Sequence, residues 1–238
     1  MRLFEFEDLP GFPSSFRRWQ MDYIRFAVDL LNPYGSIEAP WKDQKAPKTW
    51  VDLATGTGGP VPQFLRRWLK TSETCHLIRT DRFPSEEGVE YLDLRSDAFP
   101  PAEFYTLFNA FHHFAPADQK DIMAKMSTGT YALIAEPLSR SVFTFVGIFL
   151  LTGLLHWIFA PFVRPWSWRR MLWTYPIPVM PIVTCWDGLV SVLRAPRQKE
   201  LETLARQAST SRFHWSVESV SFPFGSVLIL IGQSIDKA

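Results

Sequence analysis

The sequence predicts an α/β fold: a mostly parallel, seven-stranded sheet with helices on both faces, a C-terminal antiparallel hairpin, and an apolar helical insertion. Three observations predict it. Short apolar runs alternate with helical patterns between Thr49 and Pro137, which is the signature of parallel strands joined by crossover helices. Near the C-terminus, FHWSVESVSF and SVLILIGQSI flank the turn PFG, which predicts a hairpin. Between these regions, residues 141–194 break the rhythm with two long runs that lack charge.

The elements follow in order. Phe16, Tyr23, Phe26, Ala27, Leu30 and Leu31 recur at helical spacing, with Ser14 or Ser15 as N-cap and Asn32-Pro33 with Gly35 as the stop. TWVDLA (49–54) reads as a buried strand, Gly56–Gly59 as a tight turn, and VPQFLRRWLK (61–70) as a helix with Pro60 near its first position. HLIRTD (76–81), VEYLDL (89–94), FYTLFNA (104–110) and TYALIAEP (130–137) read as strands. APADQKDIMAKM (115–126) and RQKELETLARQA (197–208) read as helices. The chain reads as a single domain over 1–238, with 1–45 as an N-terminal helical cap and 141–194 as the insertion. There is no internal repeat.

Composition narrows the function. The 238 residues carry a formal charge of +1, so no basic field points to nucleic acid. Cys75 and Cys185 are too few for a disulfide framework or a zinc site, which predicts a reducing compartment, structural cysteines and no metal centre. The start, MRLFEFEDLP, alternates apolar and acidic residues and does not read as a signal peptide. The expected location is the cytoplasm.

The stretch VDLATGTGGP (51–60) crowds Gly56, Gly58 and Gly59 after a strand that contains Asp52. A strand–glycine turn–helix unit binds ligands at the C-terminal edge of a parallel sheet, against the helix N-terminus. Dinucleotide-binding turns have an apolar residue where Asp52 stands and a third glycine where Val61 stands. Asp81 ends the second strand, where an acid grips ribose hydroxyls. A plain structural turn is the alternative.

On Asp52, Thr55-Gly56-Thr57-Gly58-Gly59, Asp81, Asp93 and LFNAFHHF (107–114), the sequence resembles the class I S-adenosylmethionine-dependent methyltransferases, over roughly residues 45–137 and the last forty. It is similar to an uncharacterised bacterial subgroup that shares FEFEDLP, TLFNAFHHF and WDGLVSVLR. The resemblance implies a Rossmann-like methyltransferase fold and S-adenosylmethionine as cofactor. It implies cofactor contacts from Asp52, Ala54, Thr55, Gly56, Thr57, Gly58, Gly59, Asp81, Arg82, Asp93, Leu94, Asn109 and Ala110. Asp97 competes with Asp93 for the place near the adenine. A nicotinamide-dependent oxidoreductase and a non-catalytic, membrane-associated cofactor-binding protein are the rival readings.

Methyl transfer from a sulfonium rests on positioning the nucleophile; a base matters only for a protonated acceptor. His112 and His113 follow the fourth strand at the edge where that base is needed, and are the expected catalytic residues; helix capping is the alternative for each. Glu136 orients a cationic substrate or pairs with Arg140. Tyr23 and Trp186 are the other expected substrate contacts. His76, His156 and His214 read as structural.

Residues 141–163 contain no charge, and neither do 171–186, after the link RPWSWRR. The first run is long enough to span a bilayer. A single span is incompatible with the last strands rejoining the sheet, and the prolines at 176, 178 and 181 argue against a second. The expectation is an in-plane element covering the methyl end of the cofactor on the inner face of the cytoplasmic membrane. Trp157, Trp166, Trp168 and Trp173 would sit at headgroup level, with Arg164, Arg169 and Arg170 on anionic lipid. A soluble lid or a homodimer face is the alternative. Either implies a lipophilic small-molecule acceptor.

Overall fold

TWVDL, with one acid among apolar residues, is central in the sheet. The computed structural model describes residues 3–69 and 74–235; Lys70, at the end of the second predicted helix, lies outside them. In chain order the elements are α1 (Ser14–Leu31), β1 (Thr49–Leu53), α2 (Val61–Trp68), β2 (His76–Asp81), β3 (Val89–Tyr91), β4 (Phe104–Phe108), α3 (Pro116–Met126) and β5 (Tyr131–Glu136). Then follow α4 (Val142–Ile148), α5 (Leu155–Phe159), α6 (Trp168–Leu172), α7 (Val179–Arg194), α8 (Gln198–Ala208), β6 (Phe213–Phe222) and β7 (Gly225–Ser234).

The seven strands form one sheet in the order β3-β2-β1-β4-β5-β7-β6. Pairs among β1 to β5 are parallel, and β7 runs antiparallel to both β5 and β6. The strand order reverses between β1 and β4, the switch point at which such sheets open a crevice at their C-terminal edge. Register sets the neighbours there: Asp52 lies beside Arg79 on one side and Thr106 on the other.

The chain forms two compact units, one of residues 33–137 and 196–238, the other of 1–32 and 138–195. Residues 1–32 and 138–195 thus share one unit, while 33–45 belong with the sheet. In the sheet unit, one face buries Val51, Leu53, Leu107, Ile122, Met123, Leu201 and Leu230. The other face is aromatic. Phe104 packs 4.8 Å from both Trp41 and Trp50, and Phe64 stacks 4.1 Å from Trp68. Much of the tryptophan content is thus core, where large rings bury the most apolar area per residue.

Several boundaries differ from expectation. α1 starts at Ser14 with Pro13 in the N-cap position and no side-chain cap, so neither serine caps it. β3 stops at Tyr91, because Leu92 and Leu94 turn into the core. β4 stops at Phe108, because Asn109 takes a left-handed conformation, φ 51°. The prolines at 176 and 178 precede α7, and Pro181 lies in its first turn, where no intrahelical N–H is lost. They start that helix instead of preventing it.

In the helical unit, residues 142–162 form a continuous helix with a π-type stretch at 149–154. Asp187 accepts from Phe6 N at 2.7 Å, Glu7 N at 3.1 Å and Gln20 Nε2 at 2.8 Å. Arg194 Nη1 meets Glu5 at 2.8 Å and Asp8 at 3.1 Å. The N-terminal FEFED and the late WDGLVSVLR are therefore two halves of one polar clasp. Cys185 lies inside this unit, with Sγ 3.2 Å from where a Cβ on Gly153 would stand. Burial raises its thiol pKa, and pushes that of Cys75 up to about 11; neither is poised as a nucleophile.

Candidate functional site

The glycine turn leaves β1 through a run of left-handed residues: Ala54 at φ 51°, Gly56 at 55°, Gly58 at 98° and Gly59 at 45°. Glycine adopts these angles without a steric penalty, whereas Ala54 is strained by about 1–2 kcal/mol. A Cβ on Gly59 would meet nothing within 4 Å, so at that position the need is conformational. The turn is closed by Gly58 N donating to Thr55 O at 2.9 Å, and anchored by Thr55 N donating to Thr80 O at 2.9 Å.

Two acids flank the turn. Asp52 is 2 % exposed, and its Oδ1 accepts from Thr106 Oγ1 at 2.6 Å. Trp50 Nε1 donates to that same hydroxyl oxygen at 2.8 Å, which leaves the Thr106 proton for Asp52. Burial pushes Asp52 up to about 7, against the stabilising bond from Thr106. Asp81 Oδ2 accepts from Gly56 N at 2.9 Å, and Oδ1 from Phe83 N at 2.8 Å. Asp81 thus ties the glycine turn to the end of β2. A carboxylate has about four acceptor positions, so each oxygen retains one for a ligand hydroxyl.

Asp93 forms an ion pair with Arg82, Oδ2 to Nε 3.1 Å, so two of the expected cofactor residues meet. Asp97 instead accepts from Asp93 N at 2.9 Å and from Ser96 Oγ at 2.9 Å; its carboxylate is committed to its own loop. Leu94 is buried in the core by its side chain, and its backbone carbonyl accepts from Lys125 Nζ at 2.8 Å. Asn109 N donates to Ala135 O at 2.9 Å. Asn109 Oδ1 is buried and has no hydrogen-bond partner among the described residues. Ala110 opens the short 3-10 turn 111–113.

Glu136, fully buried at the end of β5, accepts from Phe111 N at 2.7 Å and His112 N at 3.3 Å through Oε1, and meets His112 Nδ1 at 2.7 Å through Oε2. The acid expected to orient a substrate therefore orients His112. A carboxylate on Nδ1 favours the tautomer in which Nε2 is the basic ring atom. The His113 ring lies 4.4 Å from that of His112. Tyr23 and Trp186 belong to the helical unit and have internal partners. The Tyr23 hydroxyl donates to Leu151 O at 2.6 Å with its ring stacked 4.0 Å from His156, and Trp186 Nε1 donates to Phe4 O at 3.0 Å.

No protein-family model and no curated protein matches the sequence. Solved structures match its fold. One is an O-methyltransferase family 2 protein from Planctomyces limnophilus in complex with apigenin: TM-score 0.55, 15% identity, over 98% of this chain and 62% of that one. The fold is the Rossmann-like methyltransferase fold. Human N-acetylserotonin methyltransferase in complex with S-adenosylmethionine is similar at TM-score 0.54 and 12% identity, over 93% of this chain and 56% of that one. TnmH is similar at 0.51 and 16%, over 93% and 57%. The chain spans less than two thirds of the length of these structures.

Within this methyltransferase fold, sequence reasoning missed two residues. Thr106 was detectable as a polar residue inside the apolar strand FYTLF, but its role needs the register with Asp52. Tyr34, in the NPYG turn, gave no signal; its ring packs 5.3 Å from Phe108 and its hydroxyl is buried without a partner among the described residues.

Proposed function

We propose that the chain is an S-adenosylmethionine-dependent methyltransferase acting on a lipophilic small molecule. The observation that carries this is the buried Asp52 carboxylate beside a bare, left-handed glycine turn at the switch point of the sheet. The residues present fit the cofactor. Asp52 offers a buried acid for its ammonium group, Asp81 has acceptor positions left for ribose hydroxyls, and Asn109 Oδ1 is a buried acceptor. Asp93 with Arg82 is the adenine-side candidate. The bound cofactor supplies an electrophilic methyl group for in-line displacement. His112, oriented through Nδ1 by Glu136, serves as the base that takes the proton of a hydroxyl, thiol or amine acceptor.

The helical unit supports peripheral membrane contact. The helix 142–162 has mean hydropathy 2.1, and only 11% of its most apolar window is buried. Val142, Phe143, Leu154, Ile158 and Phe162 are more than half exposed, as are Trp166 and Trp168 in the adjoining link. Arg164 and Arg169 are exposed beside these tryptophans and complement anionic lipid. One expectation needs correction. Arg170 is 1 % exposed, donates to Val163 O at 2.6 Å and pairs with Asp22 at 3.5 Å, so it is structural. Trp173, packed 5.2 Å from Phe16, and Trp157, 5.8 Å from Tyr175, are half-buried.

The test is transfer of a labelled methyl group from S-adenosylmethionine into a bacterial lipid extract. Labelled product is expected, with a loss of about 10²–10⁴-fold in rate on replacing His112 and His113 by Ala. Binding of the cofactor with no label in any fraction would favour a non-catalytic cofactor-binding protein.

A further inference from the structure

We propose that Tyr34 holds the amino-acid end of the cofactor, its hydroxyl acting with Asp52 on the ammonium group; this rests on the cofactor reading above. Four observations support it. First, the hydroxyl is a buried polar atom with no partner among the described residues, on a side chain 2 % exposed. Such a group destabilises the fold if nothing ever meets it, so it calls for a partner, which a bound ligand supplies.

Second, Tyr34 is held by the elements that build the glycine turn's surroundings. Its ring meets Phe108 edge-on, and Phe108 stacks on Phe64 of α2, the helix that follows the turn. Arg67 of α2 donates to Gly35 O and Ile37 O, clamping the loop on the far side of Tyr34. Its position is therefore fixed before any ligand arrives, which lowers the ordering cost of binding.

Third, the surroundings are negative. The carboxylates of Asp52 and Glu136 both act on the hydroxyl. Burial first, and then those two charges, hold its pKa well above the ordinary phenol value. The hydroxyl stays neutral, with lone pairs free to accept from a cation. Fourth, the demand of the ligand matches the supply. An ammonium carries three N–H donors, and this edge of the sheet offers Asp52, Tyr34 Oη and the orphaned Asn109 Oδ1.

The experiment compares two ligands that differ in this end alone. S-adenosylhomocysteine carries the amino-acid group and methylthioadenosine lacks it. Calorimetry on the full chain should show that Tyr34→Phe weakens S-adenosylhomocysteine by about tenfold or more, as for a hydrogen bond to a charged group, and leaves methylthioadenosine unchanged within about twofold. The ligand-free variant should melt no lower than wild type, since the hydroxyl it loses has no partner among the described residues. Equal weakening of both ligands, weakening of neither, or a lower ligand-free Tm would overturn the inference. Wild type that binds neither ligand would overturn the cofactor reading and this inference together; wild type that binds both, with an unchanged variant, would overturn only this inference.

Discussion

Asp52 is the residue on which the cofactor account turns. Its carboxyl is pushed up to about 7 by burial, so it is half protonated near neutrality in the free protein. A ligand ammonium stabilises the ionised form and lowers that pKa, so binding below pH 7 must first remove a proton. The dissociation constant for S-adenosylhomocysteine should therefore be flat from pH 7 to 8 and rise about tenfold per unit as pH falls below 7. Asp52→Asn should bind more weakly and lose that slope. A wild-type affinity that is constant from pH 5.5 to 8 would remove Asp52 from the ammonium. Asp52 and Asp81 were legible in the sequence because each stands at a fixed distance from a glycine turn or a strand end. Thr106 and Tyr34 were not, because their roles arise from strand register and from where a loop is clamped, neither of which has a local sequence signature.

The elements were legible where apolar periodicity was long. HLIRTD and FHWSVESVSF fall on β2 and β6 with the expected ends. Ends governed by single residues were not, as at Asn109, where a left-handed turn stops β4. The long helix 142–162 was visible from its lack of charge, but its one buried titratable group reads differently in the structure. His156 is 1 % exposed, and the Thr152 backbone near its ring favours its protonated form. Burial, and then the charge of Arg170, lower its pKa to about 4 from 6.5. The unfolded chain therefore binds a proton below about pH 6.5 that the folded ring refuses until about 4. Stability is lost as pH falls through that window, by roughly 2 kcal/mol at pH 5. His156→Phe keeps the stack on Tyr23 and removes the proton. Denaturant melts of wild type and variant should diverge by about that amount between pH 8 and pH 5. Asp187, raised to about 6 by burial, contributes with the opposite sign in both proteins and cancels. Parallel pH profiles would contradict the assignment.

At the scale of the whole molecule, the sequence showed one domain with an insertion, whereas the structure has two compact units. The difference arises because the N-terminal FEFED and α1 pair with the late WDGLVSVLR through Asp187 and Arg194, a link between segments about 180 residues apart that no local pattern reveals. The apolar face of the helical unit leads to a prediction for the full-length protein. It should float with vesicles, more strongly as anionic lipid increases and less as salt increases. Replacing Arg164 and Arg169 by Gln should cost roughly 2 kcal/mol of binding, about 1 per charge, and leave cofactor affinity unchanged. Wild type that stays in the soluble fraction and sediments as a dimer would make this face a subunit interface.

On this reading the glycine turn binds S-adenosylmethionine or its product. The most direct measurement is a calorimetric titration of wild type and Gly58→Val with S-adenosylhomocysteine and with NADH. Gly58 sits at φ 98°, where a β-branched residue is a genuine outlier, so the variant deforms the turn itself. Wild type should bind S-adenosylhomocysteine with about micromolar affinity, in the ordinary range for a cofactor, Gly58→Val should not bind it, and neither should bind NADH. Tight binding of NADH with no heat from S-adenosylhomocysteine would contradict it.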